Sequence, residues 1–354
     1  MSNYKKYSFL MVYIIIFLPC TGFYLGGIYN FITFIILFSL IPLIDYFIQD
    51  KSNPDNIQSK ELLKDKYYVL ITLLYIPVQM ILLGYSVYLV HNSSLSILEW
   101  IGFASSTGLV MGGVGINLAH ELMHKNSKLQ QIASKFLLSM VCYGHFFIEH
   151  VRGHHINVAT PHDPATARLG ESLYQFLPRT IIGSLQSAWA IERKRLERKH
   201  LNIAGFHNQF WWIIGVPVLI IVSLFLYGGL STVGFFLLQS LTAILTLEIV
   251  NYIEHYGLLR RKLENGRYEK VSPLHSWNAS HWLSNIILIH LQRHSDHHTN
   301  GGKPYQILLH IEESPQLPSG YLGMIILALF PPLWRAVMDP RVRAHQEKIV
   351  NPHH

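Results

Sequence analysis

The chain has 354 residues, of which half are hydrophobic and only 14% are charged, against about 25% in an ordinary soluble domain. A soluble fold of this size has no use for so many long apolar runs, so that class is excluded. The net charge of +7 does not imply nucleic acid, because the basic residues are confined to particular segments between the apolar runs.

In chain order, six apolar runs of at least 18 residues read as membrane-spanning helices, at about 9–27, 28–48, 68–90, 97–119, 209–229 and 231–250. The first is too long, and flows too directly into the second, for a cleaved signal peptide. Lys5 and Lys6 precede it, and Lys51, Lys60, Lys64 and Lys66 follow the second run. The segment 120–208 is rich in Lys and Arg, whereas the short links at Gly26–Gly27, His91–Ser94 and Gly228–Gly229 carry none. With six spans every basic segment falls on one side, which the positive-inside rule makes cytoplasmic. The expected fold class is therefore an all-α integral membrane protein of six transmembrane helices with a His-rich cytoplasmic cap. Cytoplasmic segments of about 120–208 and 251–354 complete a single domain over residues 1–354. Within them, 130–148 reads as one buried or interfacial helix, and Tyr321–Trp334 as a helix lying in the membrane interface. Cys20 and Cys142 form no CxxC pair, so a metal site here must use nitrogen and oxygen.

Nine histidines lie where the spans meet the cap: His120 and His124 in HELMH, His150, His154 and His155 in EHVRGHH, His255 in NYIEHYG, and His294, His297 and His298 in LQRHSDHH. Neutral imidazole is a common transition-metal ligand. His120/His124, His150/His154 and His294/His298 have i,i+4 spacing and His294/His297 has i,i+3, so each pair can grip one ion from successive turns. Adjacent histidines point about 100° apart on a helix and can face different ions. Nine donors suit two sites of four or five nitrogens. Glu121, Glu149, Glu254 and Asp296 accompany the clusters, and Asp45 ends the second span. All five are expected to orient ligand rings through the outer N–H, with the alternative that one of the four acids beside the clusters bridges or binds a metal ion instead. His145, His162, His275, His281, His290 and His310 lack this patterning and read as hydrogen-bonding or structural groups. Iron, copper and zinc all accept imidazole. The membrane context favours redox chemistry on an apolar molecule, since a zinc protease of the HExxH type needs one further ligand rather than seven. A metal transporter would carry its ligands through the spans to both sides, whereas these meet at one face.

The strings HELMHK, EHVRGHH with ATPHDPATARLGES, NYIEHYGLLRRK, SPLHSWN, LQRHSDHH, ESPQLPSGY and VMDPRV together resemble the membrane alkane 1-monooxygenases over about residues 40–343. NYIEHYGL and LQRHSDHH are specific to that group, while the spaced His boxes are shared with fatty acid desaturases and other membrane hydroxylases. The chain departs from the pattern in having His162 inside ATPHDPAT. The resemblance implies a six-helix bundle whose cap holds a di-iron site on His120, His124, His150, His154, His155, His255, His294, His297 and His298. Its two iron ions (Fe2+/Fe3+) activate the co-substrate O2 to place one oxygen atom on the terminal methyl of an alkane. Electrons are then expected from a separate rubredoxin, reduced by an NADH-dependent rubredoxin reductase, at the cytoplasmic side of a bacterial inner membrane. Rubredoxins are acidic, which makes Arg193–Lys199 and Arg341–Arg343 candidate docking surfaces. The alkane should enter from lipid, and Phe34, Leu37 and Ile41, on one face of the second span, are expected to line its channel. Alternatives within the same chemistry are hydroxylation of alkyl side chains, as in xylene monooxygenase, and fatty acid desaturation.

Overall fold

In a computed structural model, which describes residues 3–350, the chain is helical throughout, with isolated bridges and no named strand among the described residues. Five helical segments are long and apolar enough to cross a bilayer: α1 (Lys5–Leu25), α2 (Gly27–Phe47), α3 (Tyr67–Asn92), α4 (Ile97–Met123) and Phe210–His255. Between α4 and the last of these lie α5 (Lys128–Ser139) and α6 (Leu173–Arg198).

A straight helix of the 46 residues Phe210–His255 would run about 69 Å, twice the roughly 30 Å of a bilayer's hydrocarbon core. Two glycines break it. Gly229 has φ +67°, in the left-handed region open to glycine without cost, and Gly228 is also non-helical. Beyond them the chain folds back. Tyr143 Oη donates to Glu248 at 2.7 Å, while a Cβ on the neighbouring Gly144 would lie 3.3 Å from Ile213. An unbroken helix would hold residues 213 and 248 about 52 Å apart. The segment is thus a hairpin of two arms, α7 (210–227) and α8 (230–255).

Helix α4 is the axis of the molecule. Of its most apolar stretch 83% is buried, against 39% or less in the other long segments. The cause is a run of small residues. A Cβ on Gly108 would fall 2.5 Å from the Gln239 carbonyl oxygen, and one on Gly112 would fall 2.8 Å from that of Ala243. Glycines four residues apart therefore let the backbones of α4 and α8 approach closely, as a GxxxG face does. The close packing sets the ends of α4 and α8, with their histidines, side by side.

Two expectations for the cap are corrected. The helix expected over 130–148 stops at Ser139, because Cys142 turns the chain with φ +55° before helical structure resumes at Phe146. The helix expected over Tyr321–Trp334 also stops early, at Ala328. It forms α11 (Tyr321–Ala328), with Tyr321, Met324, Ile325 and Ala328 buried, after two short helices, α9 (Trp282–Ile287) and α10 (His294–Thr299). Pro331–Pro332 then opens α12 (Pro331–Val350), a position where a missing N–H costs nothing.

Candidate metal centre

His120 sits in the last turn of α4 and His124 just after it, His255 ends α8, and His294, His297 and His298 occupy α10. His150, His154 and His155 come from a helical stretch whose middle, His150–His154, is a wide π-type turn. Such turns insert an extra residue per turn and recur at functional sites. The rings gather into two groups, His120, His124, His150, His155 and His297 in one, and His154, His255, His294 and His298 in the other. Within each group the potential ligand atoms all lie within 4.8 Å of one another. The groups abut, with the His155 ring stacked on that of His298 at 4.5 Å between centroids.

Spacing along the chain does not translate simply into shared groups. His120 and His124 stay together, as do His294 and His298, but His150 and His154 part company. The wide turn changes the register, so that His155, five residues on, returns beside His150 with Nε2 atoms 3.1 Å apart. His297 likewise leaves His294 for His155, at 3.1 Å. The neighbours His154/His155 and His297/His298 face different groups, as adjacent positions on a helix allow.

The donor set fits a pair of transition-metal ions. In the four-membered group the Nε2 separations are 3.2 Å for His154–His298, 2.9 Å for His298–His294 and 3.2 Å for His294–His255. With metal–nitrogen bonds near ~2.1 Å, adjacent corners of an octahedron lie about 3.0 Å apart. In the other group the Nε2 atoms of His120 and His124 are buried with no hydrogen-bond partner, a costly state for a polar atom unless something else engages it. Burial, reinforced by the neighbouring imidazoles, pushes His150, His155, His294, His297 and His298 well below the ordinary histidine range. These rings are neutral at pH 7, the form that binds metal.

His154 differs, for a reason the sequence reading missed. Burial is the largest single influence and lowers its pKa, but Asp163 and, beyond it, Glu149 and Glu248 together turn the net shift upward. Asp163 Oδ2 accepts from His154 Nδ1 at 2.9 Å, with both groups buried. Thr166 Oγ1 and the Ala165 amide hold the carboxylate in turn, at 2.6 and 3.1 Å. The pair fixes the His154 tautomer and leaves Nε2 free to face the group. Asp163 lies in the DPAT turn, where an aspartate followed by a donor two residues on is a local signal. His162, singled out beside it, is exposed and rests near the Tyr268 ring.

Three of the acids expected to orient rings, Glu121, Asp296 and Asp45, hold other partners, and Glu254 takes the alternative expected for one of them. Glu254 Oε2 lies 3.2 Å from His294 Nε2, the same nitrogen that faces His255 and His298. This carboxylate is turned into the centre rather than onto an outer N–H. Glu149 is buried, and burial first, then Asp163, pushes its carboxyl up to about 8. Glu121 pairs with Lys125 at 2.7 Å and accepts from the Tyr305 amide. Asp296 holds Lys303, Asn300 and the Leu309 amide, tying down the loop after α10. Asp45 accepts from the Leu283 amide at 2.8 Å and from Ser284. It satisfies orphan N–H groups at the start of α9 rather than orienting a ligand ring.

A narrow cleft of about 30 Å³ between α4 and α8 reaches both groups, lined by Gly112, Gly113, Thr246, Leu247, Val250 and Leu291 with His120, His150, His294 and Glu254. Phe34, Leu37 and Ile41 do not border it. Leu37 and Ile41 are buried where α2 packs against α11. A larger apolar groove of about 530 Å³ between α1 and α3, lined by Phe17, Tyr24, Ile81 and Tyr85, is bordered by none of the nine histidines.

Residues 97–328 match the fatty acid desaturase family. The chain is 48% identical over 319 residues to alkane 1-monooxygenase 1 of Pseudomonas aeruginosa, covering 88% of this chain and 82% of that one. It is 42% identical over 356 residues to alkane 1-monooxygenase 2 of Alcanivorax borkumensis, covering 98% and 93%. To the xylene/toluene monooxygenase hydroxylase component of Pseudomonas putida it is 28% identical over 284 residues, covering 79% and 75%.

Proposed function

This chain belongs to the fatty acid desaturase family and, within it, to the alkane 1-monooxygenases, and on that footing we propose that it hydroxylates the terminal carbon of n-alkanes at two irons held by the nine clustered histidines. The observation that carries the reading is the pairing of five-nitrogen and four-nitrogen groups with an apolar cleft along their edge. Irons bound there would supply the electrons and Lewis acidity that activate O2, with R–CH3 + O2 + 2 e− + 2 H+ giving R–CH2OH + H2O.

The protein's own contribution is positioning. The histidines present their ring nitrogens toward the two groups, and Asp163 holds His154 in one tautomer. Glu254 adds a carboxylate oxygen beside His294 as a tenth donor. Leu247, Val250 and Leu291 bury the alkyl chain, at roughly 0.8 kcal/mol per methylene, and exclude water from the reacting end. Asn117 and Asn251 border the same cleft near the histidines and donate to the Leu288 carbonyl at 2.7 Å and to Glu248 at 3.2 Å.

The integral membrane setting has six crossings in this reading, because the Phe210–His255 hairpin counts twice. The basic segments put the cap on the cytoplasmic side of a bacterial inner membrane. The reductant is rubredoxin, recharged by an NADH-dependent reductase. Elemental analysis of the purified protein, with rubredoxin-driven oxidation of an alkane series under 18O2, tests the whole reading. About two irons per chain and 1-alkanol carrying one labelled oxygen are expected. Zinc in place of iron, or an unlabelled alkene product, would sink it.

A further inference from the structure

Arg293, the residue before His294, is only 3% exposed, and a guanidinium placed so deeply normally meets a carboxylate. Here it meets carbonyls. Its Nη1 donates to that of Leu308 at 2.6 Å and its Nη2 to that of Ser52 at 3.0 Å, while Nε is buried with no hydrogen-bond partner. The acids whose charge reaches it are committed elsewhere, Asp50 to Lys5 and Asp296 to Lys303. Among the described residues, therefore, a full positive charge stands almost out of water with no anion in direct contact.

Beside it lies a polar cavity of about 320 Å³, lined by Lys5, Ser52, Gln58, His290, Arg293 and Gln306, with room for roughly ten waters. Lys5 and Arg293 outnumber the single carboxylate at its edge, Asp50. Hydrogen-bond acceptors border it too. His290 Nδ1 donates to the Tyr305 carbonyl at 3.0 Å, which leaves its Nε2 an acceptor, and Gln306 Oε1 is buried without a partner. The lining suits a ligand that carries a negative charge and hydroxyl donors.

The cavity sits where the spans meet the cap. Helix α1 starts at Lys5, and α2 ends at Phe47, just before Asp50. Tyr46 and Phe47 are 78% and 75% exposed, aromatic rings of the kind that settle at the head-group level of a bilayer. The Asp50 amide donates to the Ser280 carbonyl at 2.8 Å, which ties this loop to the cap at the depth of the lipid phosphates.

We propose that this cavity binds the phosphate of an anionic, hydroxyl-bearing lipid head group, that of phosphatidylglycerol, from the leaflet on the side of the cap. Lys5 and Arg293 hold the phosphate, and His290 and Gln306 accept from the glycerol hydroxyls. Basic pockets between spans take anionic head groups in this way. The bound anion balances the charge that pins the Ser52 and Leu308 backbones beside His294, so the lipid steadies the segment that carries three of the clustered histidines. Neither the metal nor the reaction bears on this site; only the position of the cap against the bilayer does.

The test is thermal unfolding of the delipidated full chain in neutral detergent, followed by tryptophan fluorescence, with phosphatidylglycerol, phosphatidylcholine or inorganic phosphate added. Phosphatidylglycerol should raise Tm by roughly 5 °C at saturation, and phosphatidylcholine by much less. Q58E sets a carboxylate into the cavity at a half-buried side chain. It should keep its metal content and lose the phosphatidylglycerol shift, whereas K194E, on the exposed surface of α6, should keep that shift. Native mass spectrometry should find one tightly held phosphatidylglycerol on the unmodified chain and none on Q58E. Equal shifts from the two lipids, no retained phosphatidylglycerol on the unmodified chain, or a shift that survives in Q58E would overturn the site. A shift with inorganic phosphate equal to that with phosphatidylglycerol would overturn the lipid as its source and leave a site for the free ion.

Discussion

At the scale of single residues, the least replaceable acid near the histidines is Asp163. Its Oδ2 accepts from both His154 and Thr166, and its Oδ1 from the Ala165 amide. Every neighbour is a donor, so Asp163→Asn keeps the shape but must turn an NH2 group onto one of them. The His154 tautomer is then no longer fixed. We expect affinity for one of two bound metals to fall about 10- to 100-fold, read as metal per chain during a chelator titration. Loss of both metals at the concentration tolerated by the unmodified protein would contradict this, as would loss of neither. The histidines were legible as a set because their types and clustering are visible in the string. Their partition was legible only in part: the neighbours His154/His155 and His297/His298 divide between the groups as expected, but the separation of His150 from His154 depends on a one-residue register change at the π-type turn that no spacing rule reveals. Asp163 was overlooked because an aspartate in a turn looks like ordinary loop chemistry until the fold brings it back to His154.

At the scale of elements, the α4–α8 contact both builds the bundle and bounds the cleft, and two adjacent glycines divide those tasks. A Cβ on Gly112 meets the backbone of Ala243, whereas one on Gly113, which borders the cleft, meets nothing within 4 Å. Gly112→Ala should therefore force the helices apart and cost about 1–3 kcal/mol of stability, seen as a lower Tm in detergent. Gly113→Phe should fold normally and fill the cleft. Turnover of the longest accepted alkane should then drop roughly tenfold or more relative to shorter ones. An unchanged product distribution from Gly113→Phe would place the substrate elsewhere in the bundle. Hydropathy made the spans readable but said nothing about which face each one turns to its neighbour. The channel was therefore assigned to Phe34, Leu37 and Ile41 on α2, whereas Leu37 and Ile41 lie where α2 packs against α11 and Phe34 rests against the Phe31 and Phe38 rings.

At the scale of the whole molecule, the fold must bring four distant stretches of chain to one end of a membrane bundle, and the turn at Gly228–Gly229 decides whether it can. Without that turn, Phe210–His255 would cross once and put His255 on the far side from His150. With it, His255 returns to within reach of His154 and His294, whose rings stand 4.8 and 5.0 Å from its own. The same count fixes which links face out. With Cys20 and Cys142 first replaced by serine, a cysteine at Ser94 or Ser231 should react with a membrane-impermeant thiol reagent in intact spheroplasts. A cysteine at Ser127 or Glu264 should react only after the membrane is opened. Because all nine histidines need one common side, labelling of Ser127 and Glu264 from opposite faces would refute the shared centre as well as the six-crossing topology. Labelling of both from outside would instead keep the centre and invert the chain, moving it out of reach of a cytoplasmic electron donor.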